Sequence, residues 1–99
     1  MHMKLPYWNK AYRPWFRTRR LAVRSANVLE PWFGLFVPGV EADTILVNAH
    51  LCTTEALVRG TLLHELIHAE QHALDMPLDH GAYFTHRQQE LAARTGLPI

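Results

Sequence analysis

Five of the chain's seven histidines fall between His64 and His86, and two of them, His64 and His68, stand four residues apart in a long apolar run. That run, from about Thr54 to Leu74, carries leucine, isoleucine and alanine at helical spacing and contains no proline. A helix of some 20 residues, roughly 30 Å long, is predicted there. Leu62, Leu66, Ala69 and Ala73 lie on the side opposite His64, while Leu63, Ile67 and Leu74 cover one flank. Apolar around much of its circumference, such a helix is largely buried. Two imidazoles on one turn of a buried helix need partners for their ring nitrogens, and a metal ion is a good one.

The rest of the chain must supply the packing for that helix within one domain, since 99 residues leave no room for a second core. With 48% hydrophobic and 19% charged residues the composition is that of a globular protein. No apolar run approaches the roughly 18 residues of a membrane span, so no membrane contact is expected. The first residues, MHMKLPYWNKAYRPWF, lack a continuous apolar stretch of the secretory kind, and an intracellular, cytoplasmic location is expected. Cys52 is the single cysteine, which excludes an internal disulfide framework and a cysteine-rich zinc ribbon.

Pro6 and Pro14 bracket a short N-terminal helix. Three strands are predicted next: Leu21 to Leu29, Trp32 to Val37 ended by Pro38-Gly39, and Thr44 to Asn48. Thr53 is the expected N-cap of the long helix, with Glu55 suiting its positive end. Gly60 is a place for a bend, and Pro77 stops what remains. A last helix from about Gly81 to Arg94 ends with Gly96 as its C′ residue and Pro98 beyond it. The fold class is therefore α+β: a three-stranded antiparallel meander packed with a long helix, a C-terminal helix and a short N-terminal one.

Charge is unevenly placed. The first 29 residues hold seven Lys/Arg and no Asp or Glu, and the remaining 70 hold three basic residues and nine acidic ones. In residues 1–19, basic side chains alternate with Tyr7, Trp8, Tyr12, Trp15 and Phe16. Such a segment has two readings. Arg17, Arg19 and Arg20 suit phosphates while Trp8 and Trp15 stack on the bases of single-stranded DNA. Alternatively, the rings cover one side of a small sheet and the arginines stay solvated.

His64-Glu65-Leu66-Ile67-His68 forms an HExxH. On a helix the two histidines lie about 40° apart, one turn above the other, so both imidazoles reach one metal ion. Glu65 sits on the flank of that face, placed to take a proton from a water at the metal rather than to ligate. A catalytic zinc site needs a third protein ligand and an open fourth position. His72 is about 12 Å along the axis from His64, and Glu70 points about 120° away. Leu74 and Gln71 replace the histidine and glycine of the pattern HExxHxxGxxH. Asp75, Asp79 and His80 remain, with His80 favoured because Gly81 follows and a new helix begins there.

His64-Glu65-Leu66-Ile67-His68-Ala69 followed by His80-Gly81-Ala82-Tyr83-Phe84 resembles the HExxH…HGxxF signature of SprT-like zinc metallopeptidases, the group that includes Spartan. The resemblance extends over about residues 20–97, through the Gly-containing strand Trp32–Val37, then Thr44–Asn48 with Leu51, then Thr61-Leu62-Leu63. It implies a zincin-like arrangement with one Zn²⁺ per chain held by His64, His68 and His80, Glu65 as general base, and Phe84 anchoring the last helix. The four-cysteine ribbon that follows this domain in some members is not expected, since Cys52 is the single cysteine. Tyr83 and His86 are candidates for stabilising a tetrahedral intermediate, and His72 for lining the cleft or orienting a ligand. The function expected is zinc-dependent hydrolysis of protein or peptide substrates, including DNA-associated ones. The alternative is a nucleic-acid-binding or scaffold domain with a structural or vestigial zinc site.

Overall fold

The computed structural model describes residues 4–27 and 30–99. Pro6 opens α1 (Leu5–Tyr12), and a 3₁₀ turn over Arg13–Trp15 takes Pro14 at its start. Strands β1 (Leu21–Ala26), β2 (Gly34–Val37) and β3 (Asp43–Asn48) follow, then α2 (Glu55–Ala73) and α3 (Ala82–Thr95). The fold is thus α+β, with three α-helices and one three-stranded sheet among the described residues. The last two residues expected in the first strand, Val28 and Leu29, lie outside the described residues, as do Met1, His2 and Met3.

The antiparallel meander is corrected: the sheet is mixed, in the order β1-β3-β2. β1 runs parallel to β3, from Leu21 opposite Asp43 to Ala26 opposite Asn48. β2 runs antiparallel to β3, with Gly34 opposite Val47 and Val37 opposite Thr44. Burial explains the order. Ile45 and Val47 on β3 are fully buried, whereas β1 and β2 are only half-buried and take the edges. A strand of four residues that begins at a glycine and ends at Pro38 is poorly suited to pairing on both sides.

Thr54, not Thr53, caps α2: its side chain accepts the N–H of Leu57 at 3.2 Å. The helix runs unbroken through Gly60 and ends before Pro77 is reached. Asp75 takes a left-handed conformation, φ 57°, a state in which Asp is tolerated better than most residues. The Asp75 N–H then donates to His72 O at 3.1 Å and the Met76 N–H to Gln71 O at 2.8 Å, the paired bonds of a Schellman turn. That reversal folds residues 76–81 back along α2. Gly96, at φ 72°, closes α3 as expected.

Val58, Leu62, Leu63, Leu66, Ile67 and Ala69 of α2 pack with Ile45 and Val47 of β3, with Phe84 and Leu91 of α3, and with Tyr12 and Phe16. β2 approaches α2 closely because Gly34 has no side chain. A methyl there would stand 2.6 Å from Thr61 Cγ2 and 3.1 Å from Glu65 Cγ.

Candidate metal centre

His64 and His68 project from consecutive turns of α2, and the reversal after Asp75 brings His80 over them. His80 Nε2 lies 3.2 Å from His68 Nε2 and 3.4 Å from His64 Nε2. All three nitrogens fall within 4.8 Å of one another. Nitrogens bound to a single ion at about 2.0–2.1 Å with tetrahedral angles stand about 3.3–3.4 Å apart. Both distances from His80 fit one ion held by imidazole nitrogens, a donor set that suits zinc, copper, iron or nickel.

Phe84 forms the floor. It is 2% exposed, and its ring centroid lies 4.8, 4.9 and 4.6 Å from those of His64, His68 and His80. Burial, with the neighbouring imidazoles adding to it, lowers the pKa of His64 to about 4. Burial also lowers that of His68. These two rings therefore present lone pairs rather than protons, which is the form a metal binds.

Two features hold the cluster in place. His68 Nδ1 lies 2.8 Å from Gln71 Oε1, so the ring donates to that carbonyl oxygen and leaves Nε2 bare. The same amide, on a fully buried side chain, donates through Nε2 to the Asp79 carbonyl at 3.1 Å. Gln71 thus ties a helix histidine to the residue preceding His80. Asp79 in turn accepts the Gly81 N–H at 3.0 Å, shaping the entry to α3.

Glu65 lies beside His64 with only 6% of its surface exposed. Burial raises its pKa to about 7. Among the described residues no hydrogen bond reaches its carboxylate. A carboxylate in that setting is a stronger base than a solvated one and is poised near neutral pH.

The other sequence candidates lie elsewhere. His72 Nε2 is 2.8 Å from Arg19 Nη1 and 3.7 Å from the buried Asp43 carboxylate, so its nitrogen is engaged away from the cluster. The Tyr83 hydroxyl donates to Glu70, and burial together with that carboxylate raises its pKa to about 12. Glu70 also accepts Arg87 Nε and the Arg17 N–H, both at 2.9 Å. His86 is exposed and lines a polar cleft with Tyr83, Glu70 and Arg87. In the N-terminal segment both indole rings are covered. Arg59 lies 4.0 Å from the Trp8 ring centroid, Tyr12 stacks on Trp8, and Arg94 lies 3.7 Å from the Trp15 ring. Arg19 binds Asp43 and the carbonyls of Gly39 and Val40, while Arg17 and Arg20 are exposed.

Gly34 and Gln71 were the residues that motif spacing left out. Gln71 follows His68 by three, one turn on and on the same face, which is the available signal for its role. Gly34 gives no such sign, because its importance depends on how close β2 comes to α2.

No helix among the described residues is long and apolar enough to cross a membrane. A family model described as the SprT-like family matches residues 3–99. The chain belongs to the SprT-like family. No curated protein matches it.

Proposed function

We propose that this member of the SprT-like family is a zinc-dependent metallopeptidase. The observation that carries the reading is the convergence of three histidines, with His80 Nε2 3.2 Å from His68 Nε2 and 3.4 Å from His64 Nε2, beside a buried Glu65 that has no hydrogen bond among the described residues. One zinc per chain would supply a Lewis acid that polarises the peptide carbonyl and acidifies water. His64, His68 and His80 would hold it through ring nitrogens, and Gln71 keeps His68 in the tautomer that leaves Nε2 free. Glu65 takes the proton of the attacking water and returns it to the leaving amine.

A structural site would close its fourth position with a protein side chain. His72 is held by Arg19, Glu70 by Tyr83 and Arg87, and Asp79 by the Gly81 N–H. His72 and Glu70 are committed elsewhere and Asp79 holds one carboxylate oxygen on the Gly81 N–H, which supports an open position and so favours catalysis over a scaffold role.

The test is Glu65→Gln. The variant should keep one zinc per chain and its melting temperature, while hydrolysis of an unfolded protein falls by about 10²–10⁴-fold. Equal inertness of the wild-type protein and Glu65→Gln, both zinc-loaded, would shift the reading to a scaffold with a structural metal.

A further inference from the structure

Glu65 and His64 stand where two clefts meet. The first, of about 310 Å³, contains the three imidazoles and runs past Leu35, Phe36 and Leu78. A second, of about 410 Å³, opens on the other side of Glu65, between the first turns of α2, the start of β2 and residues 98–99. Trp32, Phe33, Leu57, Thr61, Pro98 and Ile99 wall it. Apart from Glu65 and His64 at its mouth, the lining carries no ionisable side chain.

The walls are built. Asn48 is fully buried, and its Nδ2 donates to Trp32 O at 2.9 Å while its backbone N–H donates to Phe33 O at 2.8 Å. Across the cleft, Gly60 lets the Pro98 carbonyl approach; a methyl there would stand 2.1 Å from that oxygen. Gln88 Nε2 donates to the Ile99 carbonyl. Yet Trp32 and Phe33, so firmly placed by their backbones, leave 58% and 46% of their surfaces exposed. Large apolar surface held open beside an acid–base group is what a binding subsite requires.

We infer that this second cleft is the subsite for the residue immediately C-terminal to the cut bond, and that it takes a bulky apolar side chain of an extended peptide. This rests on the metallopeptidase reading. Its direction follows from β2, an edge strand whose outer side pairs with no other strand among the described residues. β2 starts where the clefts meet: Phe33, just before it, lines only the apolar cleft, while Trp32 and Gly34 line both. It then passes the imidazole cleft at Leu35 and Phe36. Antiparallel pairing is the more stable kind. A peptide laid antiparallel on this edge enters by the imidazole cleft and leaves by the apolar one. Its residue after the bond near Glu65 then falls between Phe33 and Leu57.

The test uses the zinc-loaded chain and peptides that differ only at the residue after the cut. Leucine or phenylalanine there should raise kcat/KM over glycine by about 10–200-fold. Phe33→Glu should abolish most of that ratio. Phe33 is half-exposed, so the substitution leaves the core intact. Binding is measured separately, with zinc-loaded Glu65→Gln, by two-dimensional NMR titration of the same peptides. Apolar peptides should bind more tightly than the glycine one and shift the Phe33 and Leu57 signals. Apolar-selective binding there without turnover by the wild-type protein would sink the hydrolytic reading and keep the subsite. Cleavage with no preference after the cut, or with the apolar preference before it, would overturn the inference.

Discussion

Two parts of this chain are built from similar materials and use them in opposite ways. In the N-terminal layer, Trp8, Tyr12, Trp15 and Phe16 lie against α2 and α3 with guanidinium groups over their rings. Arg59 covers Trp8, Arg94 covers Trp15 and Arg87 lies 4.8 Å from the Phe16 ring. Charge and ring faces are spent on each other, although Trp8 Nε1 and Asn9 Oδ1 are buried with no hydrogen-bond partner among the described residues. In the histidine cluster, Phe84 again supplies an apolar floor, but the polar groups above it are left facing one another. The imidazole nitrogens converge, and the Glu65 carboxylate, with no hydrogen-bond partner among the described residues, opens on the clefts beside it. Polar groups turned towards a cleft, with burial shifting their proton affinities, concentrate where chemistry is done.

The contrast breaks most visibly if the cluster does not need its metal. Each ligand should matter, so His64→Ala and His80→Ala should both lose stoichiometric zinc and with it the metal-dependent rise in melting temperature. Gln71→Ala should be the graded case. With His68 Nδ1 and the Asp79 carbonyl both released, zinc affinity should fall by about 10–100-fold while stoichiometric binding survives at high zinc. Affinity is measured by competition with a chromophoric chelator. Wild-type affinity in Gln71→Ala would show that the loop bearing His80 is held without this amide. Full zinc retention by His80→Ala, with loss in Asp75→Ala or Asp79→Ala, would move the third ligand.

Much of this was legible in the residues themselves, and what was not has identifiable causes. The HExxH spacing is local, so a single helix carries it from sequence to geometry without help from the fold. His80 was favoured for its neighbour Gly81, and the reversal that delivers it comes from Asp75 rather than Pro77. Strand order was hidden because β1 and β3 pair across 22 positions, and pattern alone does not say which of three short strands is central. His72 and Tyr83 have the spacing of site residues. What removes them is Arg19 and Glu70 and the long-range contacts these make, which no periodicity reports.

A smaller effect sharpens the comparison in the metal-free protein. Glu65 titrates near 7 in the folded chain and near its ordinary carboxylate value of about 4.5 when unfolded. Between those values the folded state holds a proton that the unfolded state has released, so this group's contribution to stability is lost as pH rises. His64 acts in the opposite sense. Its folded pKa of about 4 lies below the ordinary 6.5, and its contribution is lost as pH falls through that window. Glu65→Gln removes only the first of these. Its stability relative to the wild-type protein, both without metal, should therefore climb between pH 4.5 and 7.5 by about 1–3 kcal/mol. Urea titrations at several pH values measure it, and a difference that does not vary with pH would show that Glu65 is solvated.

The smallest effect belongs to the packed region, where the faces of the indole rings are already covered. Trp8 has Tyr12 stacked on it at 5.4 Å and Arg59 on its ring, and Arg59 Nε also donates to the Tyr12 hydroxyl at 2.7 Å. A base that stacked on Trp8 would first have to displace those contacts, with stacking worth about 1–3 kcal/mol against a cation–π pair of about 0.5–2. Trp32→Phe leaves Trp8 and Trp15 as the fluorescent reporters. In that background, single-stranded DNA should leave emission unquenched. Any affinity it shows should come from exposed Arg17 and Arg20, whose replacement by alanine flattens the salt dependence by at most about 1.4 in slope. Arg59→Ala should cost about 0.5–2 kcal/mol of stability and uncover the Trp8 ring. Quenching that appears only in Arg59→Ala would show that the guanidinium is what keeps this layer closed. Saturable quenching in the Trp32→Phe protein itself would mean that the N-terminal rings are available to bases, and that the two regions differ less than their contacts say.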